Sequence, residues 1–221
     1  MRNIHFAPGE FYHVYNRGVE KRDIFLDDSE RWVFLQQLSE FNQLNHHSHL
    51  QLLKKTIVLQ QFSNPFVRVH GFCLMNNHFH LLLEEVAKKG ISKYMQRVGL
   101  GYTKYFNNKH ARVGRLFENP FKAKRVDSTE YLLHLSRYIH LNPLDFLRKD
   151  WRHVGITNQI KTRDYLQRYS WSSYGEYTGQ STFPFVTTDL ILKGFGNRTE
   201  YERFVIEWSS KDLNFLHDNL V

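Results

Sequence analysis

Val67-Arg68-Val69-His70-Gly71-Phe72-Cys73-Leu74-Met75-Asn76-Asn77-His78-Phe79-His80-Leu81-Leu82-Leu83 reads as two apolar runs joined by an Asn-Asn turn signal, and it predicts a β-hairpin. The second strand opens on two histidines flanking one phenylalanine. Successive strand side chains face opposite sides, so His78 and His80 share one face. Phe79, Leu81 and Leu83 line the other and can pack into a core. Two imidazoles side by side inside a protein need partners, because a buried polar group left unbonded is costly. Such pairs are most often hydrogen-bonded core histidines. A divalent metal is the other natural partner, since neutral imidazole is a common metal ligand.

Outward from the hairpin, helices and strands alternate. Phe11 to Asn16 has strand-like alternation, with Arg17-Gly18 as a turn or bulge. Asp27 and Glu30 stand at capping-box spacing before an apolar helical face of Phe34, Leu35, Leu38 and Phe41. The segment Asn45 to Ser63 holds His46, His47 and His49 without regular spacing to acidic or cysteine partners, and a polar loop is expected there. Ile91 to Asn107 has helical periodicity interrupted by Gly99 and Gly101. Phe121 to Val126 forms a short basic strand. Ser128 caps a helix running to about Leu141, where Asn142-Pro143 ends it. Beyond Lys149 come short helical pieces, with an amphipathic helix over Thr199 to Trp208. This order predicts an α+β fold, an antiparallel sheet with helices packed on it and the histidine pair on a central strand.

The chain has 221 residues, a formal charge of +8 and one cysteine, Cys73, so no intramolecular disulfide can form. A pI near 9.5 favours polyanionic partners, nucleic acid above all. Between Lys88 and Arg125 the only acidic residue is Glu118, while eleven lysines and arginines alternate with tyrosines and phenylalanines. Such a segment suits phosphate contacts to single strands, with most of the rings serving the core. No apolar run reaches membrane-spanning length and the N-terminus lacks a signal-peptide pattern, so a cytoplasmic protein is expected.

Chemistry converges on the helix that Ser128 caps. Tyr138 and Asn142 are four residues apart and share a helical face, which His134 also shares, whereas His140 points away. A helix laid across the sheet brings a phenol and an amide oxygen to the two histidines. A tyrosine can attack phosphorus and hold the strand as a phosphotyrosine, and a Mg²⁺ or Mn²⁺ ion can polarise the phosphodiester. Tyr131, seven residues before Tyr138 on roughly the same face, is the alternative nucleophile but has a leucine, not an amide, four residues on.

These residues resemble the single-tyrosine HUH transposases, in particular the REP-associated tyrosine transposase branch. His78-Phe79-His80 matches the His-hydrophobic-His motif that names the superfamily, preceded by Met75-Asn76-Asn77. Tyr12-His13-Val14 with Asn16-Arg17-Gly18, Tyr102 to Asn107, Tyr138 to Pro143 and Trp171-Ser172-Ser173-Tyr174 also fit. The family more often has proline where Asn76 stands, arginine where Pro120 stands and glutamine at the third ligand. Lys122 and Lys124 are candidates to replace that arginine.

The resemblance implies an HUH endonuclease core, ferredoxin-like or RRM-like, over residues 1–149, and a helical C-terminal extension over 150–221. It implies Tyr138 as catalytic nucleophile, with His78, His80 and Asn142 as ligands of Mg²⁺ or Mn²⁺. The expected partner is single-stranded DNA with hairpins from palindromic repeats, met by a monomer or homodimer without a membrane. Cutting and rejoining would pass through a 5′-phosphotyrosine. A catalytically silent, domesticated hairpin-DNA-binding regulator is the alternative.

Overall fold

The structure, a computed structural model, describes residues 4–44, 63–181 and 183–210. His46, His47 and His49 lie outside them. The first elements are β1 (Phe11–Arg17), α1 (Asp28–Glu40), β2 (Val67–Leu74), β3 (His78–Glu85), α2 (Gly90–Lys109), β4 (Lys122–Val126) and α3 (Thr129–Leu141). Six shorter helices follow: α4 (Leu144–Leu147), α5 (Trp151–Val154), α6 (Gln159–Arg168), α7 (Tyr174–Thr178), α8 (Asp189–Lys193) and α9 (Arg198–Trp208). The strands form one four-stranded antiparallel sheet in the order β2-β3-β1-β4. The expected α+β architecture is thus present, and the histidine pair sits on β3, one of the two central strands.

Register sorts the side chains into two faces. His80 pairs with Tyr15, His78 with Arg17 and Leu82 with His13, while Lys122 and Lys124 pair with Tyr15 and His13 from the other side. Directly paired residues share a face, so all of these lie on one side. On the other side Tyr12, Val14, Phe72, Leu74, Phe79, Leu81 and Leu83 join α1 and α2 in one apolar cluster. The histidine face is covered too. Leu132, Leu135 and Ile139 of α3 pack on Cys73 and Leu82 there, together with Tyr174, Tyr177, Tyr201 and Val205 of the C-terminal helices. A sheet buried on both faces explains why β3 reads as a nearly continuous apolar run around its polar residues.

Two helix details depart from simple rules. Asp27 caps α1 by accepting from the Glu30 N–H, but the Glu30 carboxylate accepts from the Leu26 N–H, not from Asp27. Glu30 is fully buried, and it also binds His110 at 2.5 Å and Lys109 at 2.9 Å, which fixes its position. In α2, Gly101 is needed, because an added Cβ would lie 2.6 Å from the Phe41 ring. Gly99 has no such constraint, since a Cβ there meets nothing within 4 Å.

His140 locks α3 to the rest of the fold. Its ring is fully buried, with Nδ1 2.7 Å from the Tyr201 hydroxyl and Nε2 2.8 Å from Ser173 Oγ. Tyr201 donates onward to Ser136, which leaves its oxygen to accept from His140 Nδ1–H. The ring is therefore neutral, and burial pushes its pKa down to about 3. A histidine depressed in the folded state but ordinary when unfolded destabilises the fold as pH drops below about 6.5, because only the unfolded chain takes the proton. The loss at pH 5 is about 2 kcal/mol for this one group. Thermal unfolding at pH 7 and pH 5 should therefore show a smaller acid-induced drop in His140→Gln than in the wild type. Equal drops would remove His140 as the cause.

Candidate functional site

One end of the histidine face opens into a cavity of about 250 Å³. Its walls hold His78 and His80 from β3, Tyr15, Asn16 and Arg17 from β1, and Lys122 from β4. Tyr138, Asn142, Asp145 and Arg152 close it from the helical side, and Glu118 and Asn119 form its lip. All four residues singled out in the sequence, Tyr138, His78, His80 and Asn142, thus line one cavity. Tyr131 and His134 are not among its lining residues. His134 packs on Trp208 of α9 and is hydrogen-bonded by Arg137 instead.

The two imidazoles are oriented from behind. His78 Nδ1 lies 2.6 Å from Asn77 Oδ1, and the Asn77 amide nitrogen is fixed by its bond to the Lys21 carbonyl. An amide oxygen only accepts, so Nδ1 carries the proton and Nε2 keeps its lone pair. His80 Nδ1 lies 2.8 Å from His13 Nε2, both rings being almost completely buried. If His80 donates there, its Nε2 too is left as a donor of electron pairs, the arrangement that carboxylates or carbonyls give to metal-bound histidines. His78 and His80 stand edge to face, with ring centroids 5.0 Å apart.

Electrostatics keep both rings neutral at pH 7. Burial pushes the His78 pKa down to about 4, with the positive charges of Arg17 and Arg152 acting in the same direction. Burial takes His80 well below the ordinary range, and His78, His13, Arg152 and Arg17 press it further. Arg17 forms no ion pair or side-chain hydrogen bond among the described residues, and Lys122 meets only the face of Tyr15, 5.9 Å away. Arg17 and Lys122 therefore present positive charge to the cavity that no acidic side chain pairs with among the described residues, whereas Arg152 is paired with Asp145.

Tyr138 lies edge-on to His80, with centroids 5.6 Å apart, and its hydroxyl has no hydrogen-bond partner among the described residues. Burial raises its pKa to about 12, and the charge of Arg152 opposes that rise. The Arg152 guanidinium sits 5.8 Å from the Tyr138 ring centre, paired with Asp145. It also donates to Asn142 Oδ1 at 3.2 Å, while Asn142 Nδ2 donates to the Tyr138 carbonyl at 2.8 Å. Asn142 is the C-cap of α3, which places its amide one turn beyond Tyr138.

His13, Arg17 and Arg152 were not singled out by sequence as site residues. The alternation of Phe11 to Asn16 puts His13, Tyr15 and Arg17 on one face, but only the strand register shows that this face is that of His80. Arg152 had no sequence signal at all, because it arrives from α5. Among the described residues no group of three or more histidine, cysteine, aspartate or glutamate side chains is arranged to hold a metal ion. Two imidazoles and a carboxamide are what the cavity offers.

The fold and cavity define an α+β protein with a basic pocket lined by histidines and a tyrosine. Residues 39–142, a little under half of the chain, match the family model described as IS200-like transposase. Among solved structures, a REP-associated tyrosine transposase bound to a REP hairpin is similar at 10% identity, with a TM-score of 0.49 over 85% of this chain and 90% of that one. No curated protein matches the chain. No described helix is long and apolar enough to cross a membrane.

The His13 contact has a direct check. In His13→Leu the His80 ring loses its buried partner, and ¹⁵N NMR should show the Nδ1–H form of His80 giving way to a mixture of tautomers. An unaltered ¹⁵N pattern for His80 would show that His13 does not set its tautomer.

Proposed function

We propose that the chain is a metal-dependent DNA strand transferase that binds single-stranded DNA hairpins and cuts and rejoins them through a 5′-phosphotyrosine at Tyr138. The observation that carries this reading is the meeting in one cavity of two neutral imidazoles with a phenol and two cationic side chains, Arg17 and Lys122, that have no hydrogen-bond or ion-pair partner among the described residues. The family match to IS200-like transposases supports the same reaction class.

His78, His80 and Asn142 would hold a Mg²⁺ or Mn²⁺ ion, which when bound supplies Lewis-acid polarisation of a phosphodiester oxygen. The donor set fits in charge state: both rings are neutral, and each has its Nδ1 engaged. Asn142 Oδ1 already accepts from Arg152, but a carbonyl oxygen has a second lone pair.

The chain's own residues do the rest. Arg17 and Lys122 attract the phosphate backbone into the cavity. The Tyr138 hydroxyl gives up its proton to solvent as its oxygen bonds to phosphorus, the P–O3′ bond breaks, and the departing 3′ oxygen takes up a proton from solvent. Attack by a 3′-OH on the phosphotyrosine reverses the step and rejoins the strand, because the intermediate keeps the ester bond energy. Arg152 favours the phenolate by its charge, against the burial that disfavours it. Residues 150–221, read as a helical C-terminal extension, would thus supply a group to the site of the 1–149 domain.

One contact favours the alternative, a catalytically silent hairpin-binding regulator: Arg152 occupies Asn142 Oδ1. The two readings separate on a denaturing gel after incubation with hairpin-bearing single-stranded DNA and Mn²⁺. The wild type should form a covalent adduct that EDTA prevents, and Tyr138→Phe should bind the DNA without forming one. His80→Ala should lose the divalent-dependent cleavage, with a drop of at least about 100-fold. Binding by the wild type with no adduct at any divalent concentration would establish the silent regulator.

A further inference from the structure

Behind the lip of the catalytic cavity, on the other side of the sheet, lies a second and larger cavity of about 570 Å³. Its floor is apolar: Phe79 of β3, Met95 and Val98 of α2, and Phe117. Polar groups stand among its lining residues, namely the Gln96 amide, the Thr103 hydroxyl and the Glu118 carboxylate. Asn16, Glu118 and Asn119 are walls of both cavities. The dividing segment is strapped to the end of β1 by backbone bonds from Val19 to Leu116 and from Glu118 to Arg17.

We propose that this second cavity receives one unpaired nucleobase of the strand whose phosphate occupies the catalytic cavity. The assignment rests on the strand-transferase reading, which places DNA at the shared wall. Flipped or single-stranded bases are held by a flat apolar surface plus a few polar groups on their edges, which is the composition of this cavity. Glu118 can accept from an exocyclic amino group, and Gln96 and Thr103 can both donate and accept. Charge complements a nucleotide rather than an apolar peptide. Arg115 lines the cavity without an acidic partner among the described residues, and Glu118 is the only acid between Lys88 and Arg125. The volume lies within the range of small-molecule pockets.

Gly99 makes the idea testable without damaging the fold. It lines the cavity, a Cβ there meets no atom within 4 Å, and any ordinary residue suits a helix better than glycine. Gly99→Leu should fill the cavity, Gly99→Ala serves as control, and Thr103→Leu fills it from a second position should Gly99→Leu melt below the wild type. The probe is hairpin-bearing single-stranded DNA with 2-aminopurine, or an abasic nucleotide, walked through the unpaired positions beside the hairpin.

In the wild type and Gly99→Ala, one position should change its fluorescence on binding, and an abasic nucleotide there should weaken binding about tenfold. The filling variants should bind the intact strand about tenfold more weakly and lose the dependence on that position. Filling variants that melt like the wild type yet keep its affinity and its response at every position would overturn the assignment. So would a dimer seen by sedimentation that Gly99→Leu dissociates with the DNA response unchanged, which would give the cavity to a second copy of the chain. A position-specific response without any tyrosine adduct would sink the cleavage reading and support the pocket. An adduct with no responding position would do the reverse.

Discussion

Burial of His80 is the constraint on which the site depends. The ring is 3% exposed on a strand covered by helices on both sides, so it needs a polar partner within the protein. The diagonal across β1 and β3 supplies His13 at 2.8 Å, and that contact fixes which way the imidazole faces. Tyr138 then packs edge-on to the same ring. A strand one residue out of register would turn His80 towards the apolar cluster of α1 and α2 and bring Phe79 to the cavity. Sheet pairing and site chemistry are therefore one specification.

Much of this was legible in the sequence because it is local. Hairpin alternation, the Ser128 cap, the Asn142-Pro143 stop and the four-residue spacing of Tyr138 and Asn142 are all set by neighbours along the chain, and each lies where expected. What was not legible depends on register or on distant packing. His13 and Arg17 become site residues only through the pairing of β1 with β3. Arg152 comes from a four-residue helix with no periodicity to read. That the C-terminal helices cover the histidine face of the sheet is likewise set by distant packing. They do so through the buried His140, Ser173 and Tyr201 network, whose members are far apart in the chain.

The cavity combines features that oppose one another. Burial raises the Tyr138 pKa and lowers those of both histidines, so it favours metal-competent imidazoles while discouraging the phenolate. Arg152 pushes both the same way, towards deprotonation, since a positive charge disfavours imidazolium and favours phenolate. Asp145 holds Arg152 in place while Trp151 holds Asp145 through a 2.7 Å bond to its indole N–H. One cation, anchored by a carboxylate and an indole, thus serves two titrating partners.

The strand β4 is short, lies at the sheet's edge and carries Lys122, Lys124 and Arg125. Unpaired edges invite strands from other molecules, and a brief run of lysines deters them. The opposite edge, β2, is shielded differently, by bridges from Val69 to Val186 and from Cys73 to Ser172. Colloidal behaviour is therefore tied to the same lysines that face the cavity and its surroundings. Neutralising them to probe phosphate contacts also strips one border of the sheet of its protection. A drop in soluble protein on such substitutions would then report self-association, and it has to be separated from any loss of affinity before the lysines are given a role.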